Sequence, residues 1–219
     1  MKNKEKPLLI IVILAMAYIT IKLTCNPLFF KHVDFKVNLI FTSFVIKVVS
    51  STFIYPLVYV ISDLITVMTN RKTAILIILA GILLDGFYSG AVFISASFDT
   101  PAMMSSSELE NARVINYLGS PTWMLYYGGV FGTIITAIAE ILIFNKLYNK
   151  LKNFYIAAIA SVVVVLVIHN PIAALPIWDE PDYWDVVSNG LIVDITFMIV
   201  YITSAYLVNK LIVSRQIRA

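Results

Sequence analysis

The chain has 219 residues, of which 60% are hydrophobic and only 13% charged, with a formal net charge of +3. A soluble domain of that length could not hide so much apolar surface, so the composition excludes a water-soluble globule and selects lipid as the solvent. The basic residues sit in short flanks between apolar windows, which does not suggest nucleic-acid binding, and a lone cysteine, Cys25, excludes an intramolecular disulfide or a cysteine metal site.

Several windows of about 20 apolar residues are each long enough to cross a bilayer core. Mean hydropathy is +0.88 over the whole chain. A single transmembrane domain over residues 1–219 is expected. The chain starts Met-Lys-Asn-Lys-Glu-Lys and then turns apolar. No small-residue cleavage site follows, so the first helix, Pro7 to Leu23, is read as uncleaved. Pro7 suits a first helical turn.

Polar and breaking residues fill Thr24 to Lys36. A second helix occupies part of Val37 to Met68, a span too long for one straight crossing of about 30 Å at about 1.5 Å per residue. Lys47, Ser50, Ser51, Thr52 and Pro56 interrupt it. The pattern predicts a tilted, kinked helix or a short interfacial piece followed by the span. Helix three runs from Thr73 to Phe93. Ser95 to Pro121 is polar and reads as the longest loop, with room for a short surface helix. Helix four covers Thr122 to Tyr148, helix five Phe154 to Ala174, and helix six Val186 to Leu211, after an acidic loop from Pro176 to Asp185.

The lysines and arginines orient these spans. With the N-terminus inside, the cytoplasmic flanks hold Lys2, Lys4, Lys6, Arg71, Lys72, Lys146, Lys150, Lys152, Lys210, Arg215 and Arg218. The second and third outer loops hold Asp99, Glu108, Glu110, Asp179, Glu180, Asp182 and Asp185, with Arg113 the exception. This satisfies the positive-inside rule. The first outer loop, with Lys22, Lys31 and Lys36, fits it poorly. Either its neighbours pull it across or the chain has seven helices.

Four carboxylates fall inside apolar segments: Asp63, Asp85, Glu140 and Asp194. A carboxylate in hydrocarbon is unfavourable by about 2.5–3.5 kcal/mol on insertion scales, so it usually faces a bundle interior or a watery cavity. Asp63 shares its segment with Pro56, whose missing N–H leaves a carbonyl to find another partner. His169-Asn170-Pro171 ends helix five, either as a cap or as polar groups reaching a cavity. Trp123, Tyr126, Tyr127, Trp178, Tyr183 and Trp184 read first as an interfacial aromatic belt. Gly128-x-x-x-Gly132 permits close helix packing and is compatible with a homo-oligomer. No metal spacing, phosphate loop, nucleophile elbow or zinc protease motif is present. The expectation is no enzyme, no cofactor and no metal.

Two stretches resemble the vitamin-uptake-like transporters, the family of queuosine-precursor transporters. The first is Tyr55-Pro56 with Asp63-Leu64-Ile65-Thr66, continued by Arg71-Lys72-Thr73-Ala74. Val67 stands where the family has Glu, and Thr69-Asn70 where it has Tyr-Gly. The second is Glu140-Ile141-Leu142-Ile143-Phe144, with Ala137 at the family's Gln position. Ser161 and His169 correspond to a Ser and an Asp; the family's Lys and Pro in the last helix have no counterpart. The resemblance covers the layout of most of the chain and two short motifs in detail. It implies import of a deazaguanine base such as 7-cyano-7-deazaguanine.

The expected protein is thus an all-α bundle of six transmembrane helices with both termini cytoplasmic, in a bacterial-type inner or plasma membrane. Its partners are membrane lipid and a small planar solute. Asp63 and Glu140 are expected to face each other in the bundle, Asp63 accepting hydrogen bonds from the solute and Glu140 doing likewise or carrying a proton. Tyr55 and Pro56 shape the wall, and His169 and Asn170 complete the candidate site. A rival reading is the substrate-binding membrane subunit of an energy-coupling-factor vitamin importer, which needs an ATPase partner. A third is a non-transporting membrane scaffold.

Overall fold

The computed structural model describes residues 5–38, 43–100, 105–175, 181 and 183–216. Lys2, Lys4, Trp178, Asp179, Glu180, Asp182 and Arg218, singled out above, lie outside them. In chain order the elements are α1 (Glu5–Phe29), β1 (His32–Asn38), β2 (Ser43–Val49), a 3-10 turn (Ser50–Phe53), α2 (Pro56–Met68), α3 (Arg71–Ala96), α4 (Ser106–Leu151), α5 (Phe154–Ala173) and α6 (Tyr183–Gln216). Six of these segments are long and apolar enough to cross a membrane, so the chain is an all-α polytopic bundle and a multi-pass membrane protein.

The shortest helix is the central one. Pro56 opens α2 at its first turn, where its missing N–H takes no bond from the helix. Nine of the 13 residues of α2 are buried, and it packs against all five other helices. At about 1.5 Å per residue those 13 residues rise about 20 Å, some 10 Å short of a bilayer core. The 3-10 turn makes up part of the difference. Two apolar cores flank α2. One gathers Tyr59, Val60 and Phe144 with the Ala157–Leu166 face of α5 and Met198 and Ile202 of α6. The other joins Tyr18 of α1 and Val58, Ile61 and Ile65 of α2 to Ala74, Ile78 and Ile82 of α3. Asn70 fixes the turn between α2 and α3: its side chain accepts from the amides of Lys72 and Thr73 at 3.0 and 3.1 Å.

Two expectations change. Residues 32–38 and 43–49 pair as antiparallel strands of a hairpin where the end of the polar stretch and the start of helix two were expected, with His32 opposite Val49 and Asn38 opposite Ser43. Val33, Phe35 and Val37 alternate with Asp34 and Lys36, and β-branched residues dominate β2, which suits a period of two better than 3.6. The polar stretch before Pro121 is not a loop. It is the first part of α4, which begins at a capping box: the Ser105 hydroxyl accepts from the Glu108 amide, and the Glu108 carboxylate accepts from the Ser105 amide. Pro121 lies inside this helix. Packing on α3 holds α4 on both sides of Pro121: Gly119 lies so close to Ala96 that a Cβ there would overlap it, and Trp123 stacks on Phe93 with centroids 6.0 Å apart.

The basic residues Arg71, Lys72, Lys146, Lys150 and Lys152 gather at the α2–α3 and α4–α5 turns, one end of the bundle. The hairpin marks the other end.

Candidate functional site

Because α2 starts late, a cavity of about 200 Å³ lies over its N-terminal end, at the hairpin end of the bundle. Each wall follows from helical spacing. Lys22, Cys25 and Asn26 stand at i, i+3 and i+4 on α1, so all three look the same way. Ile82 and Asp85 do the same on α3, and Val187, Gly190 and Asp194 on α6. Tyr55, Ser51 and Thr52 supply the part above α2, and Val48 and Val49 carry the wall into the hairpin. Gly86 makes room for one aromatic, since a Cβ there would overlap the Tyr126 phenol.

Two polar clusters face each other across this space. On one side Lys22 Nζ lies 3.2 Å from Asp85 Oδ2, while the Asn26 amide donates to Asp85 Oδ1. All three sit within candidate spans, and the Lys22 and Asp85 side chains are only 9% and 8% exposed. Lys22 is therefore not a loop residue, and the poor charge balance of the first outer loop eases once it is paired inside the bundle. On the other side the Asn170 amide donates to Asp194 Oδ2 at 2.9 Å. Asp194 Oδ1 is buried and has no hydrogen-bond partner among the described residues. Among the described residues Lys22 is the one Lys or Arg on the wall, and Asp85 engages it. Asp194 thus presents an unmatched acceptor.

His169 connects the layers. Its ring stacks on Tyr55 with centroids 5.2 Å apart and 14° between planes, and its Nδ1 lies 3.3 Å from the Thr136 hydroxyl. Below, toward the basic end, a void of about 10 Å³ is lined by Tyr18, Tyr59, Ser62 and Glu140. Lys22, Tyr55 and Thr133 border both spaces, so the two adjoin. Ser62 Oγ donates to Glu140 Oε2 at 2.8 Å. Asp63 stands against Glu140, and both residues are wholly inaccessible to solvent.

The residues expected from the sequence therefore divide by depth. Tyr55, His169 and Asn170 line the cavity. Glu140 lines the small void beneath it, Asp63 lies beside Glu140 on neither wall, and Pro56 is buried at the start of α2. Asn170 does not cap α5, which continues to Ala173. Sequence reasoning passed over Lys22 and Asn26 and assigned no role to Asp85 or Asp194. The signal that could have found the first pair was the i, i+4 spacing beyond Ile21, together with an acid on α3 in need of a cation. Tyr127 and Trp184 point outward, each 69% exposed, while Tyr183 donates to the Pro171 carbonyl at 2.9 Å. Among the described residues no three His, Cys, Asp or Glu side chains gather as metal ligands would.

The arrangement can do two things chemically. It sets an acceptor without a partner, Asp194 Oδ1, on a residue that lines a recess bounded by Tyr55, Tyr126 and His169, and it places two adjoining acids, Asp63 and Glu140, beneath that recess. The chain matches no family model, no curated protein and no solved structure.

Proposed function

We propose that this chain imports a small planar base carrying adjacent N–H donors, a queuosine precursor such as 7-cyano-7-deazaguanine, and that it belongs with the queuosine-precursor transporters it resembles. The observation that carries the reading is Asp194 Oδ1, a buried acceptor without a partner, on the wall of a cavity inside a six-span bundle. A guanine-like edge offers N–H donors, and a hydrogen bond to a charged group contributes about 1.5–3 kcal/mol net. The cavity's roughly 200 Å³ lies below the roughly 300–1,000 Å³ of pockets for drug-sized ligands, which favours a single base over a larger vitamin or nucleotide. Tyr126 and the Tyr55–His169 stack offer aromatic surface to its ring.

The test is competition uptake by cells that lack their own route to queuosine, expressing this chain alone. Labelled 7-cyano-7-deazaguanine should accumulate, and its aminomethyl relative should compete while riboflavin, thiamine and biotin do not. Competition by a vitamin, or uptake only when an ATPase partner is co-expressed, contradicts the proposal.

A further inference from the structure

The cavity over α2 leaves the acids beneath it, Asp63 and Glu140, unexplained. Asp63 and Glu140 adjoin each other, wholly buried, with Lys22 committed to Asp85 above them. Both Asp63 carboxylate oxygens and Glu140 Oε1 lack a hydrogen-bond partner among the described residues. The Tyr59 hydroxyl, on a residue only 4% exposed, also lacks one and lines the same small void as Glu140. Two buried carboxylates without a cation are far more unfavourable than a buried pair of opposite charge, and something must neutralise them. The void of about 10 Å³ is at the lower limit for one water molecule, so a hydrated ion does not fit. A proton needs no volume.

We propose that Asp63 and Glu140 form a binding site for one proton, shared between the two carboxyls and exchanged through the cavity above. One carboxylate oxygen takes the proton from hydronium, leaving water, and the charge of the pair goes from −2 to −1. Ser62 donates to Glu140 Oε2, which leaves Oε1 and the two Asp63 oxygens to hold the proton. The groups around the site are arranged for this. From α1 come Tyr18 and Lys22, from α2 Tyr59 with Tyr55 just before it, and from α4 Thr133 and Thr136. The α3 residue on the void is the apolar Ile78. His169 of α5 meets Tyr59 edge-on, and Asp194 of α6 lines the cavity above. Tyr55 and Lys22, which border both spaces, thus lie between the proton site and the cavity above. Taken with the import reading, on which this last step rests, the pair couples solute entry to proton entry.

Two measurements separate the two ideas. Infrared spectroscopy of the purified protein in lipid reads the C=O band of a buried protonated carboxyl without any solute. The wild type should show a band of this kind that is unchanged on replacing sodium by potassium and lost in Asp63→Asn/Glu140→Gln. Ser62→Ala keeps both acids and should shift the band, because it removes the donor to Glu140. A band that is absent, sodium-sensitive, retained in the double variant or unmoved in Ser62→Ala overturns the proton site. In proteoliposomes, a gradient of one pH unit, acid on the hairpin side, should support up to about tenfold accumulation of 7-cyano-7-deazaguanine at one proton per neutral solute. The double variant should exchange solute without accumulating it; equal accumulation overturns the coupling. If the wild type moves no solute at all, the import reading fails while the infrared result still decides the proton site.

Discussion

Lys22→Met and Asp85→Asn provide the most quantitative test of the bundle's polar interior. The two charges lie 3.2 Å apart, which at an effective dielectric of about 20 is an attraction of about 5 kcal/mol before desolvation. Side-chain exposures of 9% and 8% leave little solvent screening. Removing one partner of such a pair strands the other, which should destabilise by about 3–5 kcal/mol. Lys22→Met should fall toward the lower end, because Asn26 still donates to Asp85. Asp85→Asn should fall toward the upper end, because Lys22 loses its one anionic partner in this cluster. Combining the two removes both charges, and the double variant should lie within about 1 kcal/mol of the wild type, giving a coupling of about 5 kcal/mol or more. Equilibrium unfolding in mixed micelles, followed by tryptophan fluorescence, measures all four corners of the cycle. Single variants that each lose less than about 1 kcal/mol and add independently would show a solvated pair of the surface type, and the reasoning would be refuted.

Other outcomes follow from local geometry. Gly81→Ala places a Cβ about 2.7 Å from the ring of Tyr18, itself 2% exposed, so it should destabilise by about 1–3 kcal/mol; Gly129→Ala meets nothing within 4 Å and should be close to neutral in the same unfolding assay. The Ser105 hydroxyl, and then its amide, hold the Glu108 carboxyl below the usual carboxylate range. That cap is fully present above the unfolded carboxylate's range and is lost as pH falls through the lowered folded value, so amide exchange at residues 106–110 should quicken only in acid. Ser105→Ala should show the quick exchange already at neutral pH, and equal exchange in both proteins contradicts the capping role. Cys25 is the single thiol and lines the cavity, so saturating 7-cyano-7-deazaguanine should slow its alkylation; an unchanged rate would place the solute elsewhere.

Much of this arrangement was legible in the residues, for reasons that differ by element. Asp63 and Glu140 stood out because each is a lone acid in an apolar run, and burial of both follows from their neighbours' hydropathy. The hairpin was hidden because Asp34 and Lys36 put most of β1 into a polar stretch and the apolar run Val45–Val49 joins a helical window, while each strand is only seven residues long. The early start of α4 was written in Ser105-x-x-Glu108, but the polar residues after it carry no membrane signal, and only the packing of Gly119 and Trp123 on α3 shows why they continue the helix. Lys22 and Asp85 are 63 positions apart, and no local pattern announces a pair across two helices. The late start of α2 at Pro56 proved the most informative feature, since a central helix too short for the bilayer leaves room for the cavity above it.

The central claim is that Asp194 Oδ1 receives the solute in that cavity. Asp194→Asn keeps the shape; with its oxygen held by Asn170, it puts an amide donor where the free acceptor stood. The most direct measurement is initial uptake of 7-cyano-7-deazaguanine by cells lacking their own route to queuosine, at matched expression of wild type and variant. Loss of one charged hydrogen bond, about 1.5–3 kcal/mol, predicts an uptake efficiency at least about tenfold lower. Uptake by Asp194→Asn equal to that of the wild type would contradict the account.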